Sequence, residues 1–445
     1  VVAANTLPKP SALPFLGNLL DMLGDPLRFY DNLYTKYGDL VPFDINGYQC
    51  YLIANPQHIE YVLMNTGRSI SKGYEYDVPL RRLLGNGLVT SEGPFWFRQR
   101  KNAAPAFHHE RVGIYAQVMV DLTCKIMADW KNGDVKDLHH EMLVLTLRII
   151  SETLFGAHLG DNEDKLLKAS RQAMNGYLEL HFGLTRILPF SFPTPAKTTF
   201  YKAIEAMETI VYGIIAKHRA GEIHSEFISL MMNAEDENGN HLSDEQLRDE
   251  ALTMLLAGHE TTSNALSWTI LLLCQNPQAD ERLAAEIKEQ LGSRTPTMND
   301  LKNLAYTDAV IKESMRLYPP VWALSRVNKV PIKLDDFEIA TNSYLVLPQW
   351  LVHHSAKFFR EPEKFRPERW LNGEADHLPK FAYFPFGGGP RVCIGNSFAS
   401  MEAVLILSTI RQRFRFDVLN KEEVKPKPSV TLNPTKPIST RLLCT

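Results

Sequence analysis

One cysteine, Cys393, stands in the stretch FPFGGGPRVCIG, residues 384–395, behind three glycines and an arginine. A run with helical periodicity follows it. A helix start offers free N–H groups and the positive end of the helix dipole, and both favour a thiolate. Gly387, Gly388, Gly389 and Gly395 permit backbone shapes that aim amides at the sulfur and let a flat ligand approach. Arg391 adds a cation suited to a carboxylate. Three readings compete. A buried core thiol is the common fate of a free cysteine, but a loop this rich in glycine is entropically costly for packing alone. A nucleophile needs a histidine base, and the nearest in sequence is His377. A single thiolate ligand to a metal cofactor fits better, since haem iron accepts one axial cysteine.

Three further clusters carry chemistry. Residues 257–262 read AGHETT inside a helical pattern. Gly258 and two threonines lower helix propensity there, and Glu260 is costly to bury without partners. Ala257, Gly258 and Thr261 fall on one helix face. Small residues there let a flat ligand pass, and the Thr261 hydroxyl can bond a ligand atom or a backbone carbonyl. The bland alternative is a kinked helix with a solvated glutamate. Glu313 and Arg316 sit three apart on one helical face, which alone describes a surface ion pair worth under about 1 kcal/mol. Trp96 and Arg100 share a face four apart and can both donate to an anion; an amphipathic basic helix is the plainer account.

These residues need elements to hold them. The longest helix candidate opens at Ser243, with Gln246 completing a capping box, and ends before Pro277. It spans about 243–275 and crosses the molecule at about 1.5 Å per residue. Helices are also expected over Pro26–Tyr37 and Leu138–Phe155, and after the cysteine loop. Short strands are expected around Asn46-Gly47, over Val330–Leu334 and Tyr344–Pro348, and in the last thirty residues. Residues 1–20 form an extended, proline-containing lead-in. No repeat or linker interrupts the pattern. The fold class is mainly α with a small β region, as one large domain over residues 1–445.

Composition narrows the function. A net charge of −3 gives no basic field for nucleic acid. The cysteines, at 50, 124, 274, 393 and 444, are odd in number and widely spaced, which disfavours disulfides and zinc and points to a reducing compartment. The uncharged stretch Thr261–Ala279 carries polar residues and Pro277, so it reads as a buried helix, not a bilayer span. The chain begins at Val1, which leaves room for a removed anchor and membrane association.

Phe386, Gly389, Arg391, Cys393 and Gly395 together resemble the haem-binding signature of the cytochrome P450 superfamily. The other clusters extend the resemblance across most of the chain. It implies Cys393 as axial thiolate of haem b. AGHETT is similar to the oxygen-activation motif, with Thr261 holding dioxygen by a hydrogen bond and Glu260 relaying protons. The resemblance makes Glu313, Arg316 and Arg369, the last in FRPERW at 365–370, a structural triad. It assigns Trp96, Arg100, Arg326 and Arg391 to the haem propionates. The implied activity is a monooxygenase that hydroxylates or epoxidises a lipophilic molecule such as a fatty acid, terpenoid, steroid or polyketide. Oxygen is co-substrate. NAD(P)H electrons arrive through a separate ferredoxin, flavodoxin or flavin reductase, docking near Arg98, Arg100, Lys101, Arg391, Arg411 and Arg413. The expected pocket draws on Tyr74–Val89, Tyr177–Phe182, Leu252–Thr261, Val321–Leu324 and Val430–Leu432. A soluble, bacterial-like, cytoplasmic monomer is the expected form. Peroxide-rearranging relatives and a haem-thiolate gas sensor are the rivals; the Glu260–Thr261 pair favours the monooxygenase.

Overall fold

The computed structural model describes residues 2–3, 7–73, 77–182, 192–235 and 239–445. Helices dominate it, and four small sheets sit among them. The central helix runs Asp244–Gln275, 32 residues. Ser243 caps it, its hydroxyl accepting from the Gln246 amide at 3.2 Å. Asn276 separates it from the next helix, Pro277–Leu291. Its apolar residues point in every direction, which is the pattern of a helix enclosed on all sides. Leu252, Leu255, Leu266 and Ile270 are accordingly fully buried, each worth about 1.5–3 kcal/mol relative to exposure. Leu138–Phe155, Pro195–Arg219 and Asn396–Arg411 pack around it.

The largest sheet orders its strands Leu40–Ile45, Tyr48–Ile53, Tyr344–Leu347, Leu324–Asn328 and Ile70–Ser71. The first two form the expected hairpin, Ile45 opposite Tyr48. The register sets Ser71 opposite Val327, so Lys72 leaves the sheet beside Arg326. A second apolar cluster underlies this sheet, separate from the helical core. At the C-terminus, Pro426–Pro428 and Leu432–Pro434 pair as a short antiparallel hairpin, and the Leu432 carbonyl accepts from Trp268 Nε1 of the central helix at 2.8 Å.

Some expectations shift. The strand expected over Val330–Leu334 is confined to Ile332–Leu334. The lead-in is not extended throughout: Leu13 and Gly17 exchange backbone bonds in a tight turn, and a helix begins at Leu19. Its residues 1 and 4–6 lie outside the described residues. Among the described residues no helix is long and apolar enough to cross a membrane.

Candidate active site

The cysteine loop is built tightly. Gly389 has φ +66°, and a Cβ on it would lie 2.1 Å from the Leu63 carbonyl oxygen, so only glycine fits. The Cys393 amide donates to the Phe386 carbonyl at 3.0 Å, and the Ala399 amide to Gly395 at 2.8 Å, opening the helix Asn396–Arg411. Phe386 packs half-buried on the helical core. Cys393 lies deep in the fold, yet its surface is accessible. Burial pushes the thiol up; the Gly395 amide and the cations Arg100 and Lys72 oppose this. The helix start therefore does not by itself ionise the sulfur.

Four cations converge near this loop: Lys72, Arg100, Arg326 and Arg391. Arg391 lies over the Trp96 ring, 3.7 Å from its centroid, and pairs through Nη2 with Glu92. Its Nε and Nη1 are buried without a protein partner. Burial lowers Arg391 to about 10, with Glu92 opposing and Arg326 and Arg100 adding repulsion. Lys72 falls to about 7, through burial first and then repulsion from Arg326 and Arg391. Its amide donates to Glu92 Oε1 at 2.9 Å and its Nζ to the Val89 carbonyl at 3.1 Å. Arg326 donates to Thr66 Oγ1 at 3.2 Å. Among the described residues, Glu92 is the carboxylate that offsets the charge on Lys72 and Arg391. Cations in such excess among the described residues, with two Arg391 nitrogens unspent, fit a ligand bearing carboxylates. A haem with two propionates is such a ligand, so the donor set fits it. Lys72 and Glu92 were not singled out in the sequence; no spacing marks them, and only the sheet register and loop bring them here.

On the central helix Ala257 is exposed between buried turns, so it too borders open space. Thr261 Oγ1 donates back to the Ala257 carbonyl at 2.7 Å, the second of the two options its hydroxyl had. The close approach at Gly258 is to another helix: a Cβ there would lie 2.7 Å from Ile150 Cδ1. Glu260 turns to the C-terminal hairpin, where Oε1 accepts from Thr431 at 2.6 Å and Asn433 at 3.1 Å. Thr431 falls within the expected pocket segment Val430–Leu432, and Asn433 lies just beyond it; their contact with Glu260 carried no signal in the sequence.

Glu313, Arg316 and Arg369 are together and wholly buried, with no side chain more than 1% exposed. Glu313 accepts from Arg316 Nε and Nη2 at 3.0 and 2.9 Å and from Arg369 Nε at 3.0 Å. Trp370 Nε1 and the Arg366 amide add bonds at 2.9 and 3.0 Å. The surface ion pair that spacing alone describes is thus a buried network.

The expected basic docking face is thinner than the sequence suggests. Arg391 is buried, and Arg411 is buried in a two-bond pair with Asp280 at 2.7 and 3.0 Å. Of that set Lys101 and Arg413 are exposed. Of the expected pocket, Tyr74–Tyr76 lie outside the described residues. Tyr177 and His181 both reach Asp77 Oδ2, at 2.9 and 3.1 Å, joining two pocket segments.

A model of the cytochrome P450 family matches residues 7–442. The chain is 33% identical over 436 residues to cyclooctatin synthase of Streptomyces melanosporofaciens, covering 95% of this chain and 92% of the relative. It is 33% identical over 426 residues to cyclooctat-9-en-7-ol 5-monooxygenase of the same organism, covering 95% and 90%. Pentalenene oxygenase of Streptomyces avermitilis is 29% identical over 441 residues, covering 97% and 96%. The chain belongs to the cytochrome P450 family. It is a monooxygenase of the haem-thiolate class.

Proposed function

We propose that Cys393 supplies the thiolate to haem iron, that Arg100, Arg326, Arg391 and Lys72 hold the propionates beside Trp96, and that Thr261 and Glu260 govern proton supply. The single observation that carries this is the cluster of four cations beside Glu92, with two buried Arg391 nitrogens lacking a protein partner, next to the loop that holds Cys393. Metal coordination deprotonates a thiol outright, which overcomes the burial that keeps Cys393 protonated. The bound haem supplies oxygen activation, and the thiolate's donation favours O–O cleavage. The balance is one C–H bond, one dioxygen, two electrons and two protons in; one C–OH and one water out. The protein's part is to seat substrate, exclude bulk water and hold protons at Thr261 Oγ1 and Glu260. Ala257 keeps the helix wall low beside Thr261, and Gly389 and Gly395 shape the cysteine loop. The Glu313–Arg316–Arg369 network braces the segment leading into that loop.

The substrate is a lipophilic small molecule. Two relatives are named for pentalenene and cyclooctat-9-en-7-ol, which favours a terpenoid over a fatty acid, steroid or polyketide. Electrons come from a separate ferredoxin, flavodoxin or flavin reductase fed by NAD(P)H, meeting a surface that includes Lys101 and Arg413. The reading takes residues 1–445 as one domain, supported by the sheet that joins residues 40–53 to 324–347. It takes the protein as a cytoplasmic monomer, supported by five free cysteines.

Reduced protein under carbon monoxide is expected to give the red-shifted Soret band of thiolate-ligated haem, and Cys393→Ser to lose it. Persistence of that band in the serine variant overturns the ligand assignment. Thr261→Ala is expected to consume reductant at a similar rate while forming less product; unchanged coupling removes Thr261 from the proton path. A screen for compounds that shift the ferric haem from low to high spin identifies the substrate.

A further inference from the structure

Glu260 lines a polar cavity of about 300 Å³ on the hairpin side of the central helix. The charged groups around it come from every neighbouring element. Asp137 and His139 lie at the start of the helix Leu138–Phe155, and Arg171 on Asn162–Phe182. His259 belongs to the central helix, and Lys427 and Lys436 to the hairpin and the segment after it. A directed chain of donors leads to the carboxylate. His139 Nε2 contacts Asn264 Oδ1 at 2.8 Å. Asn264 Nδ2 donates to Thr431 Oγ1 at 3.1 Å, and Thr431 in turn donates to Glu260 Oε1 at 2.6 Å. Asn433 Nδ2 adds a bond to the same oxygen at 3.1 Å, and contacts Ser429 Oγ at 3.0 Å and Thr431 Oγ1 at 3.1 Å. Both hairpin bonds land on Oε1 of a carboxylate that lines the cavity.

We propose that Thr431 and Asn433 are positioning residues that hold Glu260 at the wall of this cavity, and that cavity water is where Glu260 takes up the protons it passes toward Thr261. The inference rests on the acid–alcohol role given to Glu260 and Thr261 above. An amide does not pass protons readily, so the Asn264 and Asn433 links are a scaffold and not the conduit. The conduit is water, because the cavity is polar and roomy enough to hold it and offers several partners. Successive helix residues point about 100° apart, so Glu260 and Thr261 face different sides of one helix. A carboxyl anchored on the cavity side by one oxygen can reload there and turn on its side-chain torsions. Each proton passed breaks one O–H bond on water or hydronium and forms one on the carboxylate, twice per turnover. The same proton then leaves toward Thr261, and no electron moves.

Thr431→Val and Asn433→Ala test this in the haem-loaded protein, with Thr431→Ser and Glu260→Gln as references. The expected result is a severalfold rise in peroxide released per reductant consumed and a larger solvent isotope effect for Thr431→Val and Asn433→Ala. Thr431→Ser stays near the parent, and substrate affinity by spin shift is unchanged. A second readout does not depend on turnover. The Glu260 charge raises His139, whose titration burial otherwise lowers, so releasing Glu260 from the hairpin shifts the His139 ring titration further down. Nuclear magnetic resonance of the diamagnetic ferrous carbon monoxide form reads that shift. If Glu260→Gln uncouples while both hairpin variants match the parent in coupling and His139 titration, the hairpin proposal falls and the acid–alcohol reading stands. If Glu260→Gln itself leaves coupling intact, the acid–alcohol reading falls and takes this proposal with it.

Discussion

Two groups of arginines in this protein solve opposite problems. Around Glu313 every strong donor is spent: its carboxylate meets two guanidiniums, an indole and a backbone amide, and the remaining arginine donors reach the Glu374 carboxylate and the His353, Lys364 and Arg360 carbonyls. Around Arg391 the balance among the described residues is left open, with four cations near Glu92 and two guanidinium nitrogens buried without protein partners. A closed network has nothing left to bind and serves the fold. An open one is costly by itself and is relieved only by a ligand of opposite charge. The difference separates bracing from binding without reference to sequence position.

Breaking the closed network should have the largest effect. Glu313→Gln leaves two buried guanidiniums facing a neutral group, and removal of one partner from a buried pair costs about 3–5 kcal/mol. Denaturant unfolding is expected to show that loss, together with poor haem retention; a stability within about 1 kcal/mol of the parent contradicts the bracing role. Arg391→Leu should behave differently. It is expected to speed haem loss to a competing acceptor by about tenfold, as befits one charged hydrogen bond, while leaving the haem-free protein about as stable as before. Equal destabilisation of both forms merges the two regions into one class.

Lys72 sharpens the same contrast through pH. Its folded titration near 7 lies below the ordinary lysine value, so the unfolded chain binds more protons above that point. The haem-free protein therefore gains stability as pH rises from about 7 toward about 10, and Lys72→Met flattens the curve. A stability profile that is the same with and without Lys72 removes it from the cluster. The smallest effect is expected at Glu402, a third solution to burial. It is almost fully buried, with one oxygen unpartnered, and burial raises it to about 8, against a bond from Thr262. The folded state then holds a proton that the unfolded chain gives up, so stability falls as pH rises between about 4.5 and 8. Glu402→Gln should weaken that slope by on the order of 1 kcal/mol; an unaltered slope means the acid is already ionised.

Much of the fold was legible because local rules agree with it. Ser243 and Gln246 mark the start of the central helix and Pro277 lies just beyond its end, while Asn46-Gly47 marks a hairpin. The cysteine loop was legible for the same reason: five residues within ten positions carry its chemistry. What escaped lies far apart in the chain. Lys72 reaches the cluster through the pairing of Ile70–Ser71 with Leu324–Asn328. Thr431 and Asn433 reach Glu260 across about 170 residues of sequence. Gly258 was read as room for a ligand, and the room is taken by Ile150. Arg411 was read as surface and is buried against Asp280.

By itself the sequence determined where the central helix begins and ends and which short runs resemble a family's motifs, since caps, turns and motif spacing act within a few residues. Tertiary structure alone decided which charges are compensated. Coulomb and desolvation terms depend on distance and burial in space, so Glu313–Arg316 became a closed buried pair and Arg391 kept two buried nitrogens without protein partners only once the chain was packed.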